Sequence, residues 1–209
     1  MIILSHRGAW TRIEEKNTLS ALARSRQLGF GTETDIRDDR GRLVVSHDPP
    51  GGAEAGIDDL LALFADSGLW LALNVKSDGI GPLMAESCRR HCFTRWFAFD
   101  MSVPQMIQYR RAGLPFFSRH SDWEPRPSCY DDCAGIWLDA FDGEWYGADV
   151  VRRHLAAGKR VCVVSPELHG RAHAPLWAML GESGLDRDDR VKLCTDHPVE
   201  ARAAFGETQ

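Results

Sequence analysis

Ile2-Ile3-Leu4-Ser5-His6-Arg7-Gly8 opens the chain, Glu33-Thr34-Asp35 closes the next β-rich run, and Leu43-Val44-Val45-Ser46-His47-Asp48 closes a third. Each is a short apolar or β-branched run that ends in charged or imidazole side chains. Residues two apart on a strand point the same way, so Glu33 and Asp35 project together with Thr34 opposite. Paired carboxylates on one face are costly unless something positive sits between them, and a hard divalent cation with oxygen ligands is the usual answer. His6 and His47 are the candidate acid and base, because an imidazole with pKa near 6.5 can donate or accept at neutral pH. Arg7 offers a planar fork for phosphoryl oxygens, and Asp48 stands where it can orient the His47 ring. Together these residue types point to metal-assisted phosphoryl transfer.

Outward from this quarter the chain alternates strands with helices. Strand patterns cover 2–6, 31–36, 42–47, 69–76, 95–99, 114–118, 134–139, 160–165 and 190–194. Helical patterns cover 18–29, 57–67, 81–92, 103–112, 148–157, 173–183 and 198–205. Such alternation implies βαβ units and a parallel sheet. With 42–47 set aside as a hairpin insertion after the second strand, eight strands and seven helices remain, a compact (β/α)8 TIM barrel. An open doubly wound sheet shares the same rhythm. Asn17-Thr18 is an N-cap signal and Gly29 a C-cap signal for the first helix. Ser102 with Gln105 forms a capping-box pattern. Residues 119–133, rich in Pro, Ser, Asp and Trp, read as a loop in place of a helix.

The 209 residues suit a single domain, 1–209, with one core. A net charge of −5 and the absence of long Lys/Arg runs argue against nucleic-acid binding. No stretch approaches the roughly eighteen consecutive apolar residues of a membrane span, and the start has no leader pattern, so the expected location is the cytoplasm. Oligomeric state is not readable. Cys88/Cys92 and Cys129/Cys133 have a spacing that zinc sites use. The first pair lies in a helical pattern where that spacing only repeats one face, and reduced thiols suit a cytosolic protein.

Leu71-Ala72-Leu73-Asn74-Val75-Lys76 repeats the strand geometry, with Asn74 and Lys76 on one face. Asn74 can give an amide oxygen to a metal, and Lys76 can neutralise a phosphate. At later strand ends, Asp139 is placed to reach substrate hydroxyls. Glu167, His169 and Arg171 form a charged rim after the seventh barrel strand. Asp100 reads as a helix cap near Ser102. Trp10 and Trp123 are candidates for stacking on a sugar or polyol.

Ser5-His6-Arg7-Gly8, Glu15-Lys16-Asn17-Thr18, Glu33-Thr34-Asp35 and Ser46-His47-Asp48 resemble the motifs of the glycerophosphodiester phosphodiesterase family. Cys194-Thr195-Asp196-His197-Pro198 is similar to that family's ending of the last barrel strand. The resemblance is dense over residues 4–48 and thinner beyond. It implies a TIM barrel with one divalent metal ion, Mg²⁺ or Ca²⁺, with Glu33 and Asp35 as ligands and His6 and His47 as acid and base. The implied substrate is a small-molecule phosphodiester, giving a phosphomonoester and an alcohol. Asn74 departs from the pattern, since that position is typically a glutamate ligand, and Lys16 is inserted in the Glu-Asn-Thr turn. Two other functions fit the same residues: a barrel that binds phosphorylated ligands without hydrolysing them, and a lyase forming a cyclic phosphate.

Overall fold

The computed structural model describes residues 1–206. Its strands are β1 (Ile2–His6), β2 (Gly31–Asp39), β3 (Arg42–Val45), β4 (Leu71–Val75), β5 (Trp96–Phe99), β6 (Phe117–His120), β7 (Gly135–Leu138), β8 (Arg160–Val164) and β9 (Val191–Thr195). Its helices are α1 (Leu19–Gln27), α2 (Ile57–Phe64), α3 (Gly81–Arg90), α4 (Val103–Ala112), α5 (Ala148–Ala156), α6 (Ala174–Glu182) and α7 (Pro198–Phe205). Eight strands run parallel in the order β5-β4-β2-β1-β9-β8-β7-β6, and β3 pairs antiparallel with β2. The ring closes where Ala98 of β5 bridges Phe116. This is the (β/α)8 barrel with its hairpin after the second strand.

Local chemistry explains most boundaries. The Thr18 hydroxyl caps α1 by accepting from Ala21 N at 3.3 Å, and Gly29 follows that helix at φ +79°. Ser102 accepts from Gln105 N at 3.3 Å, but the Gln105 side chain accepts from Gly79 N instead of completing the capping box. β6 starts three residues later than the pattern predicts, because Pro115 has no N–H to give a ladder. The Cys88/Cys92 expectation also changes. α3 ends at Arg90, so buried Cys88 and exposed Cys92 do not share a helical face, and Cys92 adopts φ +52°.

Strand alternation divides the apolar side chains between two layers. One set packs outward against the helices. The other, including Leu4, Ala72, Phe97, Phe117, Trp137 and Cys162, fills the barrel. Two ring stacks, Phe97–Phe117 and Phe99–Trp137, each have centroids 3.7 Å apart. Gly135 leaves room for the first, since a Cβ there would lie 2.5 Å from the Phe117 ring. At the base, Lys192 Nζ sits 4.3 Å from the centre of the Trp70 ring. Burial lowers its pKa to about 8. The barrel interior is filled by side chains, and barrels of this kind carry their sites at the C-terminal mouth.

The loop between β6 and β7 is tied to α5 by a polar chain. His120 Nδ1 lies 2.9 Å from His154 Nε2, and His154 Nδ1 lies 2.9 Å from the Tyr130 hydroxyl. Burial, then the facing His120 and Arg153, lowers the His154 pKa to about 4. The unfolded chain therefore binds an extra proton below about pH 6.5, and stability falls as pH drops from there towards 4. Urea denaturation at pH 7 and pH 4.5 should show this loss. His154→Gln should reduce it by about 2 kcal/mol.

Candidate active site

The site begins where β1 ends. Arg7 leaves the strand at φ +58° and Gly8 at φ +92°. A Cβ on Gly8 would lie 2.8 Å from the Ala21 backbone, so only glycine lets this turn pass under α1. Arg7 N donates to Glu33 O at 2.8 Å, and Asn17 N donates to Arg7 O at 2.9 Å. The β1–α1 connection is thus closed on itself and stitched to β2 at one corner of the mouth. Arg7, Asn17 and Asp100 all take left-handed backbone conformations, at φ +58°, +62° and +63°. Non-glycine residues adopt this region at a cost and cluster in it at functional sites.

The paired acids project inward as their spacing predicts, Glu33 2% exposed and Asp35 fully buried. Asp35 Oδ2 meets Arg7 Nε at 2.9 Å and accepts from Asn17 Nδ2 at 2.8 Å, while Lys76 Nζ lies 3.3 Å from Oδ1. Thr34, on the other face, fixes the Asn17 amide by donating to its Oδ1 at 2.8 Å. Burial, then the Asp35 charge, pushes the Glu33 carboxyl well above its usual range. Asn74, in register with Asp35 on the neighbouring strand, donates through Nδ2 to Asp100 Oδ2 at 3.0 Å. Glu33 Oε2 and Asn74 Oδ1 then remain buried without a hydrogen-bond donor, and Asp35 Oδ1 has only the Lys76 ammonium beside it. Two carboxylate oxygens and an amide oxygen on adjacent strands are a donor set that suits a hard divalent cation.

His6 stands beside them, with Nε2 3.8 Å from Glu33 Oε2. Its Nδ1 is 2.6 Å from Asp196 Oδ1 at the end of β9. Burial lowers the His6 pKa against the pull of Asp196. Burial alone would raise Asp196, but the His6 hydrogen bond and the charges of His6 and Lys16 hold it below its usual range. The neutral ring therefore carries its proton on Nδ1, facing Asp196, and presents a free lone pair on Nε2. Glu167 is turned away from the mouth centre: its Oε1 accepts from the Thr195 hydroxyl and, at 3.1 Å, from Asp196 N.

The remaining predicted residues lie on two flanks. Ser46 N donates to Asp35 O at 3.0 Å, which places His47 one residue from the acidic pair. His47 lines a groove of about 720 Å³ with Arg7, Lys16 and Asn17. It is 47% exposed, with its Nδ1 2.9 Å from Asp48. On the other flank His169 Nε2 meets Asp139 Oδ1 at 2.7 Å, and Arg171 donates to Ala140 O. Trp10 donates to His6 O and lies under Lys16 Nζ, while Trp123 is exposed and bonded to Asp142.

Asp100, expected to cap a helix, is instead part of the mouth. Ser102 caps α4, leaving Asp100 to pair with Arg119 and Asn74. Sequence reasoning also missed Asn17, Asp196 and Arg119 as site residues. Arg119 had a local signal, since it shares strand parity with the inward Phe117. A second cleft, of about 760 Å³, opens among Ile2, Phe30, Trp70 and Arg160. None of the predicted site residues lines it.

Several solved structures share this fold. A glycerophosphodiester phosphodiesterase from Agrobacterium tumefaciens aligns over 99% of this chain and 100% of its own, with 17% identity and a TM-score of 0.70. The fold is one that glycerophosphodiester phosphodiesterases use. An Oleispira antarctica phosphodiesterase, solved with its product sn-glycerol-3-phosphate, aligns over 99% of this chain and 97% of its own (15% identity, TM-score 0.71). A glycerophosphoryl diester phosphodiesterase from Parabacteroides distasonis covers 98% of this chain and 85% of its own, with 14% identity and a TM-score of 0.58. No protein-family model matches the sequence, and no curated protein matches it. At these identities the likeness establishes the fold alone.

The tautomer of His6 is open to direct measurement. Nitrogen-15 NMR should find the ring protonated on Nδ1 at neutral pH. Asp196→Asn should shift the population towards the Nε2–H form or a mixture, because the charged acceptor is gone.

Proposed function

We propose that this chain is a metal-dependent phosphodiesterase that hydrolyses a glycerophosphodiester-like substrate to a phosphomonoester and an alcohol. The observation that supports this is the cluster of buried oxygens on Glu33, Asp35 and Asn74, of which Glu33 Oε2 and Asn74 Oδ1 have no donor, flanked by Arg7, Lys76 and the His6 ring. Those three residues would hold one divalent cation, Mg²⁺ or Ca²⁺. When bound, it would polarise a nonbridging phosphoryl oxygen.

The chain's own groups supply the rest. Arg7 and Lys76 orient the phosphoryl group and spread its growing negative charge. His6 Nε2 takes the proton of an attacking water, while Asp196 stabilises the imidazolium that results. As the phosphorus–oxygen bond to the alcohol breaks, His47, on the groove side of Arg7, returns a proton to the alkoxide. Asp139, Glu167 and His169 contribute to the substrate side of the mouth, Glu167 through its hold on Asp196. Among the described residues no helix is long and apolar enough to cross a membrane.

A panel of glycerophosphodiesters assayed with Mg²⁺, Ca²⁺ and Mn²⁺, each with a chelator control, tests the proposal. Metal-stimulated release of alcohol and phosphomonoester is expected. Binding without turnover would make the barrel a phosphate-ligand carrier, and a cyclic phosphate product would make it a lyase. His6→Ala and His47→Ala should each lower turnover by at least about 10²-fold. Full activity in either removes that residue from the reaction.

The metal site has tests of its own. Asn74→Glu should tighten cation binding in isothermal titration, and unchanged affinity would place Asn74 outside the ligand set. Added Mg²⁺ or Ca²⁺ should raise the melting temperature of the wild-type protein. Glu33→Gln should abolish that rise.

A further inference from the structure

The opposite end of the barrel carries a concavity that the proposed reaction does not use. The cleft of about 760 Å³ lies where the strands begin. Ile2, Gly31, Trp70, Arg95 and Arg160 line it, each at the first residue of its strand or just before it. Its size is that of a site for a whole small molecule rather than a lone inorganic ion. Phe30, Leu69 and Trp70 give it an apolar wall.

The charge around it is one-sided. Four guanidiniums line the cleft, those of Arg95, Arg160, Arg190 and Arg202, against the single carboxylate of Asp189. Arg190 is already paired with Asp188 at 2.5 Å. Arg95, Arg160 and Arg202 have no carboxylate partner among the described residues, and the last two lie over the Trp70 and Phe30 rings. Arg202 also donates to Leu28 O at 2.7 Å. That bond covers a carbonyl at the C-terminal end of α1, which would otherwise repel an anion.

Lys192 deepens the imbalance. It is fully buried, yet its Nζ has no hydrogen-bond partner among the described residues. Its neighbours in register are Ile2 on β1 and Cys162 on β8. Its ammonium rests on the Trp70 ring that lines the cleft. Buried charges are ordinarily paired, and an aromatic face answers only part of that need. An unpaired ammonium beside three guanidiniums without carboxylates makes a field that an anion would neutralise.

We infer that this basal cleft binds an organic phosphate with two or more negative charges. Its phosphates would lie on Arg95, Arg160 and Arg202, and its uncharged part on the apolar wall. The planar fork of a guanidinium suits phosphate oxygens, and Lys192 adds to the field from within the barrel. The cleft shares no residue with the site at the mouth, so it stands whether or not the phosphodiesterase proposal does.

Titration of nitrogen-15-labelled protein with adenosine diphosphate tests this, with a chelator present to keep metal from the mouth. Amides of Gly29, Gly31 and Gly68, which line the cleft, should shift and saturate with a dissociation constant below about 1 mM. Gly8, at the mouth, should not shift. Arg95 and Arg160 are exposed, so the double variant Arg95→Gln/Arg160→Gln should fold and bind at least about tenfold more weakly. Lys192→Met removes an unpaired buried charge. It should hold or raise the melting temperature while weakening binding by at least about threefold. If Lys192→Met does not fold, the double variant still decides. Adenosine and inorganic pyrophosphate should each bind more weakly than the diphosphate ester. Shifts confined to the mouth, no saturable binding, unchanged affinity in either folded variant, or equal affinity for adenosine or pyrophosphate would overturn the inference.

Discussion

A carboxylate with no solvent exposure, Asp35, is the constraint around which the mouth of the barrel is arranged. An isolated buried charge would be prohibitively costly. Here it is met by a guanidinium from the end of β1, an amide from the turn before α1 and an ammonium from the end of β4. Arg7 and Asn17 lie at the two ends of the β1–α1 connection and Lys76 follows β4, so the one charge closes the first connection on itself and ties it to the end of β4. Removing a partner from such a buried pair typically costs about 3–5 kcal/mol, because the remaining charge is left uncompensated. The left-handed backbone at Arg7 and Asn17 is tolerated for the same reason: both residues are held by what they bond.

Glu33 has no comparable support, and the contrast between the two acids has a chemical meaning. Asp35 is neutralised by the protein, whereas Glu33 is buried without a donor on Oε2 and is pushed towards its protonated form. A cation arriving at this corner would relieve that penalty. The fixed charges nearby are already matched, with Asp35 set against Arg7 and Lys76 and Asp100 against Arg119. Asn74 supplies an oxygen without adding a charge to that set. The result is a site with the donor atoms for a divalent ion but less negative charge than three carboxylates would give.

What the sequence revealed follows the range of the interactions involved. Glu33 with Asp35, and Asn74 with Lys76, were legible because strand alternation is a two-residue rule. The barrel was legible from the rhythm of strands and helices. Pairings set by ring closure were not. Asp196 meets His6 across 190 residues only because β9 docks beside β1. Asp100 looked like a helix cap because it precedes one, although the spacing of Ser102 to Gln105 already marked Ser102, which does the capping. Glu167 looked like a rim residue, yet it bonds Thr195 and Asp196, contacts made possible by β8 lying against β9.

The turn at 166–169 joins the two halves of the mouth. Glu167 bonds the backbone of Asp196, which orients His6, while His169, two residues on, meets Asp139 on the far side. The turn has little freedom. Leu168 N and Gly170 N close it through Ser165 O and Glu167 O, and Trp177 of α6 bonds the Ser165 hydroxyl at 2.9 Å. Both Asp–His pairs are therefore positioned through one rigid segment rather than two independent loops. A change in that segment would move His6, beside Glu33, and His169, across the mouth, together. In this barrel the placement of the His6–Asp196 pair and of the His169–Asp139 pair is a single structural variable.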